Sequence, residues 1–339
     1  MDSRSFEKSN LFDIKQIIDS NKKMLIVSHY NPDGDAIGSS FGLYYFLKYI
    51  LSKACCIYNR DDIPHYLSFL KSEEIPFYNS IENLPKDLDL IILLDLNDLE
   101  RTGKEMETYI NSKMKDKDLS IIVIDHHENN KIYNAQGTYI DSEASSTGIL
   151  VHRLIMEFQK EIKVAIDSRI STSLLATIIT DTSSFRNSNV NVETFDVCTK
   201  LLSGGGDLEL INNNVYDSGE IKRLELKSSI YSTLEFYKQL KTAICYCTRS
   251  FYDKTSTSKE DSEGIANSLL NYSDVEIGIF IREIDNDKWK ISLRANGFKD
   301  LSDFAQKFEG GGHKNASGFT FNGKLEALKE KIINELKNG

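Results

Sequence analysis

Residues 28–39 read Ser-His-Tyr-Asn-Pro-Asp-Gly-Asp-Ala-Ile-Gly-Ser, and they could do chemistry. His29 is followed at spacings of four and two by Asp33 and Asp35, with Gly34 allowing a tight turn between the acids. One imidazole and two carboxylates so arranged can converge on a cation. The plainer reading is an Asn-Pro-Asp-Gly turn whose acids cap the next helix, which leaves His29 without a task. A calcium loop is excluded: it requires Gly at its sixth position and Glu at its twelfth, where Ala36 and Gly42 stand.

Two more acids follow apolar runs. Asp95 comes directly after Leu90–Leu94, and Asp125-His126-His127 directly after Ile121–Ile124. The two runs are separated by about the length of one strand–helix–strand unit, so both acids emerge at the same edge of one sheet. Asp181 abuts the helical run Leu174, Leu175, Ile178, Ile179. Burying such an acid unpaired costs several kcal/mol, so it is exposed, capped or neutralised by a partner. Singly, these residues also read as helix caps, a core histidine and an exposed helix end. The agreement of three strand ends favours a cation site.

His29, Asp33, Asp35, Asp95, His126 and Asp181 form a set too hard for structural zinc, which favours cysteine, and too rich in nitrogen for calcium or magnesium alone. Manganese suits it best, with magnesium, cobalt and iron as competitors. Two such ions about 3.5–4 Å apart, sharing one carboxylate, would activate water for in-line displacement at phosphorus.

Farther along stands Glu309-Gly310-Gly311-Gly312-His313-Lys314. Three glycines can turn backbone N–H groups inward as an anion nest flanked by His313 and Lys314, and an ordinary hairpin loop is the alternative. The run is no Walker loop, which needs Lys followed by Ser or Thr. Arg294 falls opposite the apolar face of its strand, either as a fork for phosphate or on a solvated sheet face.

These residues must be positioned by regular elements. Met24–Ser28, Cys55–Tyr58, Leu90–Leu94 and Ile121–Ile124 are apolar throughout, as strands buried on both faces require. Helical stretches alternate with them: one from the first motif to about Ser52, then Ala144–Phe158 and Ser168–Thr180. The pattern predicts an α/β fold, a mostly parallel sheet flanked by helices. The stretch from Asn187 to Ser218 is rich in Asn and Gly and reads as loops around short helices. It suggests a catalytic unit over 1–190, a linker over 191–215 and a smaller α/β unit over 216–339. The second unit opens on a helical pattern, Gly219–Lys238. Strands then alternate: Val275, Ile277, Ile279 and Ile281 share one face, as do Trp289, Ile291 and Leu293, leaving the other face available.

The 339 residues suit about two domains. With Lys+Arg 41 against Asp+Glu 51, a net charge of −10, the chain repels long duplex nucleic acid, so a phosphate partner must be gripped locally. The opening residues MDSRSFEKSN carry no apolar core of a secretion signal, and the greasiest stretch, Phe41–Leu51, is interrupted by Lys48. Five cysteines without a C-x-x-C pair read as buried apolar residues of a reducing cytoplasm.

At His29-Tyr30-Asn31-Pro32-Asp33-Gly34-Asp35, Asp95, Asp125-His126-His127, Asp181 and Gly310-Gly311-Gly312-His313 the chain resembles the DHH family of phosphoesterases. The likeness is to its short two-domain members, nanoRNases and 3′-phosphoadenosine-5′-phosphate phosphatases, and spans nearly the whole chain. It implies a catalytic domain, a DHH-associated substrate-binding domain, a cleft between them, and two manganese ions. One ion would be held by His29, Asp33 and Asp95, the other by Asp35, Asp95, His126 and Asp181. His127 would lie beside the scissile phosphate as donor or proton source, Asp125 would orient the imidazoles that follow it, and Arg101 would contact phosphate. Arg294, Gly310, Gly311, Gly312, His313 and Lys314 would meet the substrate. One departure is Ala316-Ser317-Gly318, where the family often has Ala-Ala-Gly.

The resemblance implies hydrolysis of short RNA oligonucleotides to mononucleotides and removal of the 3′-phosphate from phosphoadenosine phosphate. Its partners would be short RNA and small nucleotides, with no long duplex and no membrane, and a homodimer is admissible. The rivals are a phosphodiesterase for cyclic di-adenylate or its linear product, an inorganic pyrophosphatase, and a non-catalytic nucleotide-binding module.

Overall fold

The structure, a computed structural model, describes residues 10–114, 119–132, 134–216, 220–296 and 300–338. The first residues and Gly219, both used in the reading above, lie outside the described residues. The chain divides into two units, Met1–Ser218 and Gly219–Gly339.

In the first unit the apolar runs become strands: β1 (Lys23–Val27), β2 (Ala54–Tyr58), β3 (Phe77–Tyr78), β4 (Leu90–Leu94), β5 (Ser120–Asp125) and β6 (Gly137–Ile140). They form one sheet in the order β3-β2-β1-β4-β5-β6, and every pairing is parallel. Ile26 pairs with Ile57 on one side and Ile92 on the other, and Ile92 with Ile122. The strands need apolar residues at every position because the sheet is covered twice. Met24, Ile26, Ile92 and Ile122 face a core with α1 (Leu11–Ser20), α2 (Gly34–Tyr45), α4 (Thr147–Gln159) and α5 (Ser168–Asp181). Leu25, Val27, Ile91, Leu93 and Val123 face the opposite core, with Met106 and Ile110 of α3 (Lys104–Lys113). Each Ile or Leu so buried contributes roughly 1.5–3 kcal/mol.

Sheet growth reverses at β1: β2 and β3 lie on one side, β4 to β6 on the other. At such a switch point the loops leaving the carboxyl ends of adjacent strands diverge and leave a crevice. The loops after β1, β4 and β5 carry the three acidic motifs.

The stretch expected as a linker over 191–215 is different. It forms α6 (Val192–Ser203) and α7 (Leu208–Val215), and their Val197, Cys198, Leu201 and Ile211 enter the same core as α2 and α5. These residues therefore belong to the first unit.

The second unit has α8 (Ile221–Tyr231), β7 (Glu235–Tyr237), β8 (Thr242–Cys247), α9 (Arg249–Thr255), α10 (Ile265–Leu269), β9 (Ile277–Asp285), β10 (Lys288–Ala295), α11 (Leu301–Gln306), β11 (Gly311–His313), β12 (Ala316–Asn322) and α12 (Leu325–Asn338). The sheet order is β11-β12-β10-β9-β8-β7, with β8 and β9 parallel and the other pairs antiparallel. The helix expected through Lys238 stops at Tyr231, and residues 235–237 pair with β8 instead. Ile277, Ile279, Ile281, Trp289, Ile291 and Leu293 do share a face, packed on α11 and α12. The other face is not wholly available: α8 and α10 cover Ala243, Cys245, Cys247 and Phe280. It stays open over β10, where Lys290, Ser292 and Arg294 line a pocket of about 340 Å³ with Arg282.

Candidate active site

His29 follows β1, and its ring is oriented by the nearest acceptor. Nδ1 lies 2.9 Å from the Tyr30 carbonyl, an acceptor only, so Nδ1 carries the hydrogen. Nε2 is buried without a hydrogen-bond partner, 3.3 Å from Asp95 Oδ2 and 3.7 Å from Asp33 Oδ2. Asn59, itself fully buried, donates to the His29 carbonyl at 2.8 Å and holds the turn from below.

Both readings of the first motif hold at once. Asp33 caps α2 through Oδ1, accepting from the N–H groups of Asp35 and Ala36 at 3.0 and 3.1 Å, while its other oxygen faces His29. Asp35, one residue into the helix, is buried and accepts from the N–H groups of Thr147 at 2.7 Å and Gly148 at 3.1 Å. Asp95 has a left-handed backbone, φ 55°, which aims its carboxylate back over the sheet edge.

His126 Nε2 lies 3.5 Å from Asp35, 3.7 Å from Asp95 and 3.9 Å from Asp181. The expectation that Asp125 orients both imidazoles needs correction. Asp125 accepts from Nδ1 of His127 at 2.7 Å, whereas Nδ1 of His126 turns to the Ala144 carbonyl at 3.2 Å. The two rings lie edge to face, 4.8 Å between centroids, and their Nδ1 atoms find different acceptors, so Asp125 orients His127 alone.

Three groups of ligand atoms lie within 4.8 Å of one another: His29, Asp33 and Asp95; Asp35, His126 and Asp181; Asp95, His126 and His127. Asp95 belongs to two of the three. The electrostatics ask for positive charge here. Burial, then the charges of Asp95 and Asp181, raise Asp35 well above the usual carboxylate range. Burial likewise pushes Asp181 up to about 6, with His126 opposing and Asp95 adding to it. Burial disfavours charge on His29, yet Asp33 and Asp95 outweigh it and push the imidazole up to about 10. The unpartnered Nε2 of His29 and the crowded acids fit a divalent cation, which would relieve the repulsion between the carboxylates and displace the proton they favour on that nitrogen.

Asp181 ends α5, and the chain leaves it through three consecutive left-handed residues, Ser183, Ser184 and Phe185, at φ 48°, 56° and 64°. This turn brings Asn189 back to donate to Asp181 Oδ2 at 3.2 Å. Close contact between α2 and α5 sets how near Asp181 comes to the other acids. A Cβ at Gly38 would stand 2.6 Å from the Ser173 carbonyl.

Arg101 sits in the short turn after β4. Its carbonyl accepts from the Tyr30 N–H at 2.7 Å, and its charge is near enough to oppose protonation of His127. In the second unit the glycine run differs from a nest. Gly311, Gly312 and His313 form β11, an edge strand paired with β12, because glycine lets the backbones approach. A Cβ at Gly310 would meet the Gly318 carbonyl at 2.4 Å. His313 and Lys314 are exposed on this hairpin. Arg294 is half-buried on the open sheet face, where it donates to the Leu293 carbonyl at 2.9 Å.

Sequence reasoning missed Thr147, Gly148, Asn130 and Asn189. Ser145-Ser146-Thr147 ahead of an apolar helix is a capping signal that could have flagged Thr147. Asn130 donates to Asp125 Oδ2 and to the Leu96 carbonyl, both at 2.9 Å, and nothing local announces it.

The descriptions "DHH family, N-terminal domain" and "DHHA1 domain" match residues 23–178 and 240–338. The chain is 29% identical over 316 residues to the bifunctional oligoribonuclease and PAP phosphatase NrnA of Thermus thermophilus, covering 92% of this chain and 88% of that protein. It is 27% identical over 345 residues to the cyclic-di-AMP phosphodiesterase GdpP of Bacillus subtilis, covering 96% of this chain and 50% of that protein. The crystal structure of an exopolyphosphatase-related protein from Bacteroides fragilis matches with a TM-score of 0.82 at 32% identity, covering 97% of this chain and 95% of that one. Two matched domains in order, and similarity running through nearly the full length, make this chain a member of the DHH family of phosphoesterases, hydrolases that act on phosphoester bonds.

Proposed function

We propose that the protein hydrolyses RNA oligonucleotides of a few nucleotides to mononucleotides and removes the 3′-phosphate of phosphoadenosine phosphate, in the cytoplasm, with two manganese ions. The observation that carries this is the convergence of His29, Asp33, Asp35, Asp95, His126 and Asp181 from separate stretches of chain, with Asp95 common to two ligand groups. Similarity to an oligoribonuclease and PAP phosphatase over most of both chains supports the substrate class. No described helix is long and apolar enough to cross a membrane, and all five cysteines are buried and unpaired.

His29, Asp33 and Asp95 would hold one cation, and Asp35, Asp95, His126 and Asp181 the other. Bound there, the ions supply an activated water and neutralise charge at phosphorus. The protein's own residues do the rest. Asp125 keeps the hydrogen on Nδ1 of His127 and raises that imidazole above its ordinary value. His127 Nε2 is thereby left to donate to the leaving oxygen. Arg101 faces the substrate phosphate from the loop after β4. In the second unit Arg294 and Lys314 would offer positive charge, and His313 a ring nitrogen for hydrogen bonding, to a nucleotide phosphate. A short substrate offers few phosphates, so a net charge of −10 does not oppose its binding.

The test is a manganese-supplemented assay with 5′-phosphorylated diribonucleotide, phosphoadenosine phosphate, cyclic di-adenylate and pyrophosphate side by side. Fastest turnover of the first two is expected. A dominant cyclic di-adenylate activity would transfer the protein to the second reading, which the 27% identity to half of a cyclic-di-AMP phosphodiesterase favours. Nucleotide binding indifferent to divalent ions would overturn the catalytic reading.

A further inference from the structure

We infer that Thr147 is a positioning residue which locks the two halves of the cation site together. The inference rests on the two-cation reading above. Thr147 opens α4 and is fully buried. Its N–H donates to Asp35 Oδ2 at 2.7 Å, and its hydroxyl donates to Asp95 Oδ1 at 3.3 Å. Asp35 belongs to one ligand group, with His126 and Asp181, and Asp95 to the other two. One residue thus sets the orientation of a carboxylate on each side.

Thr147 is itself held from behind. Ser146 Oγ lies 3.1 Å from Thr177 Oγ1 on α5. Gly148 packs against the same threonine so closely that a Cβ there would stand 1.8 Å from Thr177 Oγ1. α5 ends in Asp181, so the helix that carries one ligand also clamps the helix end that aims two others. A carboxylate fixed by a donor on one oxygen cannot rotate away from its like-charged neighbours, and its remaining lone pairs stay directed at the cation. Thr147 is shielded from bulk solvent, so the contact to Asp95 is made in a buried setting.

The N–H contact to Asp35 survives any side-chain change except proline, so the hydroxyl can be tested alone. Thr147→Val keeps the shape and removes the donor; Thr147→Ser keeps the donor. The experiment is calorimetric titration of the metal-free full chain with manganese chloride, with electron paramagnetic resonance of the loaded protein to read coupling between neighbouring ions. Thermal unfolding of the metal-free variants controls for folding. Thr147→Val should bind manganese about 10–100-fold more weakly, as loss of a hydrogen bond to a ligand typically does, and lose the coupled-ion signal. Thr147→Ser should restore both. Val binding as tightly as Thr, or Ser binding as weakly as Val, would overturn the role of the hydroxyl. If the Val variant loses its unfolding transition, Ser against Ala decides on the same readings. Wild-type protein that binds no manganese would overturn the two-cation reading itself, a result distinguishable from the others because no variant enters it.

Discussion

Asp125 and His127 are joined by a 2.7 Å hydrogen bond across one intervening residue, and the free oxygen of Asp125 is taken by Asn130 at 2.9 Å. Asp125 is fully buried, which favours its neutral form, yet the hydrogen bond and charge of His127 outweigh this and lower it below the usual carboxylate range. The pair therefore sets which nitrogen of His127 faces outward. Asp125→Asn should lower kcat by about 10²-fold, the range of one misdirected acid–base group, while manganese affinity stays within a few-fold. Steady-state kinetics on the diribonucleotide beside calorimetry separates the two, and a loss confined to metal affinity would refute the assignment.

Asp95 occupies a backbone region that Asn tolerates and most residues do not. Asp95→Asn should therefore keep the fold and its melting temperature while activity drops by at least about 10²–10³-fold, with a chelator doing the same to the wild type. Near-native turnover by this variant would remove the shared ligand from the proposed site.

Gly38 should tolerate no side chain. Its neighbour across the contact is the backbone carbonyl of Ser173, which cannot rotate aside, so Gly38→Ala must push α2 from α5. Overpacking of this kind destabilises by about 1–3 kcal/mol, and here it also separates Asp35 from Asp181. Denaturant unfolding should show the loss, and manganese titration a weaker site. Unchanged values in both would contradict the packing.

His152, in α4 and away from every motif, is 2% exposed, with Nε2 unpartnered, and burial followed by Lys200 lowers it to about 4. The sign follows from the depressed value. Above pH 6.5 the ring is neutral in both the folded and the unfolded chain, and its contribution is intact. Below that the unfolded chain takes up the proton first, so stability falls with pH until the folded ring titrates near 4. Between pH 7 and pH 5 this group removes about 2 kcal/mol. Urea unfolding of His152→Leu should show a pH dependence flatter by that amount and normal turnover. An unchanged slope would mean the ring is not buried neutral.

The parallel sheet was legible because a strand covered on both faces must be apolar at every position, and Leu90–Leu94 and Ile121–Ile124 are. Asp95 and Asp125 were legible because each stands at the end of such a run, and Asp33 and Asp35 because Pro32 and Gly34 mark a turn between a strand and a helix. What escaped notice was set by distant packing. β3 has two residues, too few to show a period. α6 keeps Val192 79% and Phe195 53% exposed, which blurs its buried face and made the segment resemble a linker. Glycine has no strand preference, so β11 could not be told from a loop. Thr147 and Asn130 act on residues that only the fold brings near them.

The three left-handed residues after Asp181 oppose two kinds of selection. Non-glycine residues held with this hand cost roughly 1–2 kcal/mol each. Glycine at 183 or 184 would relax that tension and loosen the return of Asn189 to Asp181. A directed-evolution campaign scored on heat resistance alone should drift towards glycine there, and its winners should be slower enzymes.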